Sequence, residues 1–283
     1  MQFGLSAFIW LGSFELKDLH LMDKTADLGF DLIEVPVFEP ADLDGAKLAV
    51  ALRESGLASS VCTAFPPDRS FISDDPAARL RARDHLVAAI DLAAAMGATH
   101  VIGPQGSEWG YRQLVSPDER RRQVELCAEG LREVADHAMA AGVVLEYECL
   151  NRYEIGFVNT IEEGMQVIRA VDRPSQGIMV DTFHANIEEK SLSGAVEMAG
   201  DHLKYVHTAD TYRGVPGTGH LDWDELVTAL RRVNYDGPVV IETFNHNVED
   251  IATAAGFWRP IVPDPERGAA EGLQFLKEIF GQS

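Results

Sequence analysis

Glu148, Asp181, His207 and Glu242 each close a short apolar run: Val143 to Tyr147, Gly177 to Val180, Leu203 to Val206 and Pro238 to Ile241. Each run has the length and composition of a β-strand. A single polar residue at a strand end is ordinarily a loop anchor or a helix cap. Three carboxylates and an imidazole at the ends of consecutive strands make a ligand set for a divalent cation. Carboxylates crowded at one point raise each other's pKa unless a cation sits between them. The oxygen-rich set suits Mn2+ first, with Co2+ or Mg2+ as alternatives, rather than a structural zinc site built on thiolates.

Other reactive groups flank these four. In the segment Glu148-Cys-Leu-Asn-Arg-Tyr-Glu154, Asn151 and Arg152 are candidates for steadying Glu148 by hydrogen bonds, and Glu154 faces the same place. An exposed ion pair between Arg152 and Glu154 is the plainer alternative. His184, one turn past Asp181, is either a donor to a bound oxygen or a structural histidine. Arg213 lies in a Gly-Pro loop after His207, and its fixed fork of donors suits a pair of oxygens. Phe8, Trp109 and Phe244 stand at or near strand ends, as the apolar wall of a pocket or as plain core. His85 and His137 read as helix-surface residues.

Strand-type runs alternate with helical patterns along the whole chain. The strand runs are Phe3 to Ile9, Leu32 to Val37, Ala58 to Ala64, Thr99 to Gly103, Val143 to Glu148, Gly177 to Asp181, Leu203 to His207 and Pro238 to Glu242. Helices fall between them, at about 15–28, 44–54, 76–96, 117–141, 160–171, 192–199 and 222–233, with a last one at about 268–280. Helix-opening Ser116-Pro117 and helix-closing Gly29, Gly56, Gly97 and Gly142 sit where the alternation needs them. Eight strand–helix units in one chain predict an α/β fold, a single (β/α)8 TIM barrel occupying 1–283 as one domain. In such a barrel the strand ends converge at one mouth, and strands about 4.8 Å apart let four neighbouring side chains reach one ion.

The bulk composition narrows the partners. Forty-five acidic residues against 24 basic ones give a formal net charge of −21. That balance argues against nucleic acid and against an anionic membrane surface, and mildly disfavours multiply phosphorylated ligands. Cys62, Cys127 and Cys149 show no metal or disulfide spacing and read as core thiols of a reducing compartment. The opening residues lack the basic region of a signal peptide, and no apolar run is long enough to span a bilayer. The expectation is a soluble cytoplasmic protein.

These phrases resemble the D-tagatose 3-epimerase and D-psicose (D-allulose) 3-epimerase family, within the xylose isomerase-like barrels. The match rests on Glu148-x-x-Asn-Arg-x-Glu154, Asn159-Thr160, Asp181-Thr-Phe-His184-x-Asn186-Ile-Glu188-Glu189, His207-Thr208, Arg213-x-Val-Pro-Gly217, Asp236-Gly237 and Glu242. The early Gly29-Phe-Asp31-x-Ile-Glu34 also fits, and the likeness covers nearly the whole chain. It implies the metal ligands Glu148, Asp181, His207 and Glu242, with Glu148 and Glu242 as paired acid and base. It also implies substrate contacts from Glu154, His184 and Arg213, and a homodimer or homotetramer. The chemistry implied is inversion at C3 of a free keto sugar of the D-tagatose, D-psicose, D-fructose or L-ribulose type, through a cis-enediolate. Ser6, Phe14, the Ala64–Asp68 segment and the Gly103–Trp109 loop depart from the family pattern, which bears on the substrate.

An aldose–ketose isomerase, or another enediolate-forming enzyme such as a lyase on an oxidised sugar, would use the same site. A barrel nuclease of the endonuclease IV type would need more His and Asp ligands and a basic face. A non-catalytic sugar-binding protein would have no need of two bases. The segment from Phe257 to Arg267 is a candidate for closing the mouth or meeting a partner.

Overall fold

Short apolar runs punctuated by capped helices fold into eight parallel strands that close on themselves. The computed structural model describes residues 1–281; Gln282 and Ser283, the end of the expected 1–283 domain, lie outside the described residues. The strands are β1 (Gln2–Ser6), β2 (Leu32–Pro36), β3 (Ala58–Cys62), β4 (His100–Gly103), β5 (Val144–Tyr147), β6 (Gln176–Asp181), β7 (Leu203–Thr208) and β8 (Pro238–Ile241). They pair in sequence order, and β1 closes on β8 from Gln2↔Pro238 to Leu5↔Ile241. The chain is thus a (β/α)8 barrel.

The helices outside it are α1 (His20–Asp27), α2 (Gly45–Ser55), α3 (Pro76–Met96), α4 (Pro117–Ala141), α5 (Ile161–Val171), α6 (Thr182–Glu188), α7 (Leu192–Ala199), α8 (Trp223–Arg232), α9 (Glu249–Ala255) and α10 (Pro265–Phe280). Their ends are specified locally. Asp44, Asp75, Ser116, Asp222 and Asp264 accept hydrogen bonds from first-turn amides. Thr160 and Glu163 cap α5 reciprocally. Gly56, Gly97 and Gly142 close α2, α3 and α4 in the left-handed region.

Differences from expectation cluster at the mouth. β1 stops at Ser6, and Ala7–Ile9 coil into a 3-10 turn that swings Phe8 over the barrel end. The expected helix at 15–28 is a 3-10 turn at Leu16–Asp18 followed by α1. α6 and α9 are short additions that sequence periodicity did not reveal; at seven residues each, they hold too few turns for a pattern.

Apolar packing forms two layers. Leu32, Cys62, Ile102, Met179, Tyr205 and Val240 fill the barrel interior, and a larger cluster lies between barrel and helices. His100 and the fully buried Glu146 form a polar pair inside the barrel, Nδ1 to Oε1 2.6 Å. Among the described residues no helix is long and apolar enough to cross a membrane.

Gly103, at the end of β4, has φ +134°, and an added Cβ would overlap the Thr63 carbonyl. This close approach lets the loops after β3 and β4 pair at Phe65↔Glu108 beside the mouth. Gly103→Ala is expected to lower unfolding stability by about 2–4 kcal/mol through strain and overlap, measured by denaturant unfolding.

Candidate metal centre

β5 to β8 deliver four buried side chains to one point. Asp181 and His207 are paired in the β6–β7 register. Glu148 and Glu242 lie one residue beyond β5 and β8, each still tied to the neighbouring strand by its amide: Glu148 N donates to Gly103 O (2.9 Å) and Glu242 N to Thr208 O (3.2 Å). His207 Nδ1 stands 3.8 Å from Glu148 Oε1, 3.6 Å from Asp181 Oδ2 and 3.6 Å from Glu242 Oε1. Donor atoms from all four lie within 4.8 Å of one another.

These residues fit a divalent cation. Oxygen and nitrogen ligands about 2.0–2.2 Å from a tetrahedral centre would stand about 3.3–3.6 Å apart, close to the spacing here. His207 Nδ1 and Asp181 Oδ2 are sealed from solvent with no hydrogen-bond partner among the described residues, an arrangement that is costly unless something else engages them. The orientation of both is fixed from behind. Asp181 Oδ1 accepts from His184 N (2.9 Å), capping α6 and leaving Oδ2 free. His207 Nε2 lies 2.8 Å from Glu34 Oε2, which assigns the proton to Nε2 and turns the Nδ1 lone pair inward. Tyr205 donates to the same Glu34 oxygen (2.9 Å) and is itself within 2.6 Å of Ser60 Oγ.

Electrostatics point the same way. Burial pushes the Glu242 carboxyl up to about 8, with Glu148 and Asp181 adding to the shift against His207 and Arg213. Burial would lower the His207 imidazole, but Glu34 and Glu242 hold it well above its ordinary value. Burial opposes ionisation of Asp181 too, yet His184, His207 and Arg213 keep it well below the carboxylate range. Protons thus gather where negative charge is crowded, and a divalent cation would replace them.

Arg213 is the organising cation. Its Nη1 donates to Glu154 Oε1 (2.8 Å) and its Nη2 to Glu242 Oε2 (3.3 Å). The guanidinium lies between the rings of Phe183 (4.7 Å) and Phe244 (4.4 Å). Its backbone is left-handed, φ +64°, held where Thr243 Oγ1 donates to its carbonyl (2.7 Å). Asp210 knots the loop that carries it, accepting from the amides of Thr211, Gly217 and Leu221 and from Trp223 Nε1.

Glu154, His184 and Arg213 come together beside the tetrad, with Glu154 behind Arg213. Asn151 donates from Nδ2 to Glu154 Oε1 (2.9 Å), and its backbone amide donates to His184 Nδ1 (3.2 Å), while His184 Nε2 faces the centre 3.3 Å from Arg213 Nη2. Asn151 therefore steadies Glu154 and His184 rather than Glu148. Arg152 turns away to an ion pair with Glu188, Nη2 to Oε2 2.8 Å. Phe8 and Phe244 pack at 5.0 Å between centroids, and Phe257 backs Phe244 at 5.5 Å. Phe8, Trp109, Phe244, Glu148, Arg213 and Glu242 all line one cavity of about 600 Å³. Phe257 is buried and Trp258 exposed; neither lines that cavity.

His137 lies on the surface of α4 beside Asp91, as expected. His85 does not lie on a helix surface: it is buried, 2.7 Å from Thr63 Oγ1 and 2.7 Å from Arg69 Nη1. Burial and Arg69 lower its imidazole to about 4. α3 is Ala-rich and has no single apolar face, so its sequence does not distinguish the side that His85 buries. Glu34, Tyr205, Ser60 and Asp210 were missed as functional supports. Glu34 carried a signal only through the family phrase Gly29-Phe-Asp31-x-Ile-Glu34.

A closed parallel barrel with this carboxylate–imidazole centre at its mouth defines a class, and the xylose isomerase-like TIM barrel model matches residues 22–279. The chain belongs to that family. Its relatives include the ketose 3-epimerase of Arthrobacter globiformis, 32% identical over 98% of this chain and 96% of that one. The D-psicose 3-epimerase of Enterocloster bolteae is 31% identical over 99% of this chain and 96% of its own. The solved D-allulose 3-epimerase of Methylomonas sp. superposes with a TM-score of 0.92 at 29% identity, covering 99% of this chain and 98% of that one.

Glu34→Gln is expected to weaken divalent-cation binding by roughly 10–100-fold, because the partner of a ligating imidazole sets its orientation and basicity. Calorimetric titration with Mn2+ checks this; an unchanged affinity would remove Glu34 from the centre.

Proposed function

We propose that the protein is a metal-dependent isomerase, a ketose 3-epimerase acting on free keto sugars of the D-tagatose, D-psicose, D-fructose or L-ribulose type. The observation that carries this reading is the pair Glu148 and Glu242. Both line one cavity, yet they rise from β5 and β8, with β6 and β7 between, so they approach a bound ligand from different sides. Inversion at a carbon next to a carbonyl needs a base on one side and an acid on the other. The relatives' names supply the reaction class.

Glu148, Asp181, His207 and Glu242 would hold the cation, with Mn2+ the preferred ion. When bound, it supplies a Lewis acid for the ketose carbonyl and the neighbouring hydroxyl. One of Glu148 and Glu242 removes the proton from C3, leaving an enediolate, and the other returns a proton to the opposite face. Arg213 Nη2 and His184 Nε2 face the developing negative charge, held there before the reaction by Glu154, Asn151 and the flanking rings. Phe8, Trp109 and Phe244 exclude water from the sugar's less polar face.

Glu148→Gln and Glu242→Gln are each expected to cut turnover by roughly 10²–10⁴-fold at saturating Mn2+ while the barrel stays folded. Carbon-resolved NMR in D2O reads the reaction directly: deuterium at C3 with the C3 epimer supports the proposal. Exchange at C1 with an aldose product would replace it by aldose–ketose isomerisation.

The cavity rim offers little for a phosphate. Lys17 is paired with Glu15 at 2.8 Å, and Asp18 and Asp250 line the same rim. Phosphorylated ketoses are expected to show kcat/KM at least about 100-fold below the free sugars, since like charges facing each other cost several kcal/mol. Comparing D-fructose with its 6-phosphate measures this.

A further inference from the structure

On its β2–β3 side the tetrad adjoins a second group of ligand atoms that shares Glu242, whose Oε2 also accepts from Arg213 Nη2 (3.3 Å). Glu34, Cys62 and Glu242 each offer one donor atom, and these lie within 4.8 Å of one another. All three residues are buried. Glu34 Oε2 is taken by His207 and Tyr205, but Glu34 Oε1 is sealed from solvent without a hydrogen-bond partner among the described residues. The same is true of Ser6 Oγ, the residue paired with Glu34 in the β1–β2 register. Two oxygens without a hydrogen-bond partner, one of them a carboxylate acceptor, thus lie on this side of the tetrad.

We propose that Glu34, Cys62 and Glu242 form a second cation site, selective for thiophilic ions of the Zn2+ or Cd2+ kind, that shares Glu242 with the tetrad. The two ligand sets differ in softness. The tetrad offers oxygen and nitrogen only, whereas the second set adds sulfur, which selects borderline and soft ions over Mn2+ and Mg2+. Cys62 and Glu242 line the cavity, so an ion reaches the site from solvent, while Cys127 and Cys149 do not line it. On binding, the Cys62 thiol releases its proton to solvent and the sulfur lone pair forms the metal bond; nothing is oxidised.

A carboxylate shared between two cations cannot accept or return a proton, so occupancy of this site inhibits. That consequence rests on the acid–base role proposed for Glu242; the binding itself does not.

The test titrates the Mn2+-loaded protein with Cd2+, following the ultraviolet thiolate-to-cadmium charge-transfer band and the metal content after desalting. The expected result is one Cd2+ per chain with Mn2+ retained, together with the band. Cys62→Ser is expected to abolish the band and weaken Cd2+ binding by roughly 100-fold, since oxygen holds a soft ion less well than thiolate, while still binding Mn2+. Cd2+ that displaces Mn2+ without the band, or a band that survives in Cys62→Ser, would overturn the site. Should that variant fail to fold, X-ray absorption on wild-type protein decides: one sulfur neighbour per cadmium is required, and none refutes the site. If ketose turnover is absent altogether, the band and the stoichiometry still settle the binding question.

Discussion

Crowded negative charge in a sealed place is the constraint from which the rest of this structure follows. Glu34, Glu148, Glu154, Asp181 and Glu242 are all buried at one end of one barrel. Removing so many carboxylates from water is unfavourable unless each is paired, hydrogen-bonded or metal-bound. Arg213 answers part of this charge from Glu154 and Glu242. His207 answers part through Glu34, and its other nitrogen faces the remaining carboxylates. What is left over is a negative point with unpartnered atoms facing it, suited to a divalent cation.

The barrel makes such crowding possible because it separates stability from chemistry. Apolar side chains inside the barrel and beneath the helices supply the cohesion, and the strand ends present polar groups without weakening that packing. Orientation comes from groups that stand behind the tetrad: Asp210 shapes the loop of Arg213, Asn151 sets His184 and Glu154, and Glu34 sets His207. Thr63, on the cavity wall, is fixed by His85, which Arg69 and Glu39 hold in turn. Each support removes a rotamer choice from a residue that must be in place before a ligand arrives.

Across the cavity from the charged centre the wall is apolar, with Phe8 and Phe244 in contact and Trp109 half-buried nearby. The cavity thus has one polar wall and one apolar wall. The left-handed backbone of Arg213 shows that a strained residue is held where a guanidinium is needed, between two aromatic faces.

The barrel and the grouping of its tetrad are legible in the order of residues along the chain. Strand and helix periods are local, caps and closing glycines are local, and a parallel barrel places every strand end at the same mouth. Glu148, Asp181, His207 and Glu242 could therefore be grouped from their order alone. What stands behind them depends on the closed fold. Glu34 meets His207 across 173 residues of chain, Arg213 meets Glu154 across 59, and no periodicity encodes such pairings. Side-chain direction in the loops was equally illegible: Arg152 and Asn151 are neighbours, yet one turns outward to Glu188 and the other inward to His184 and Glu154. Hydrogen bonds to residues distant in the chain fix those directions, so they exist only once the barrel has closed.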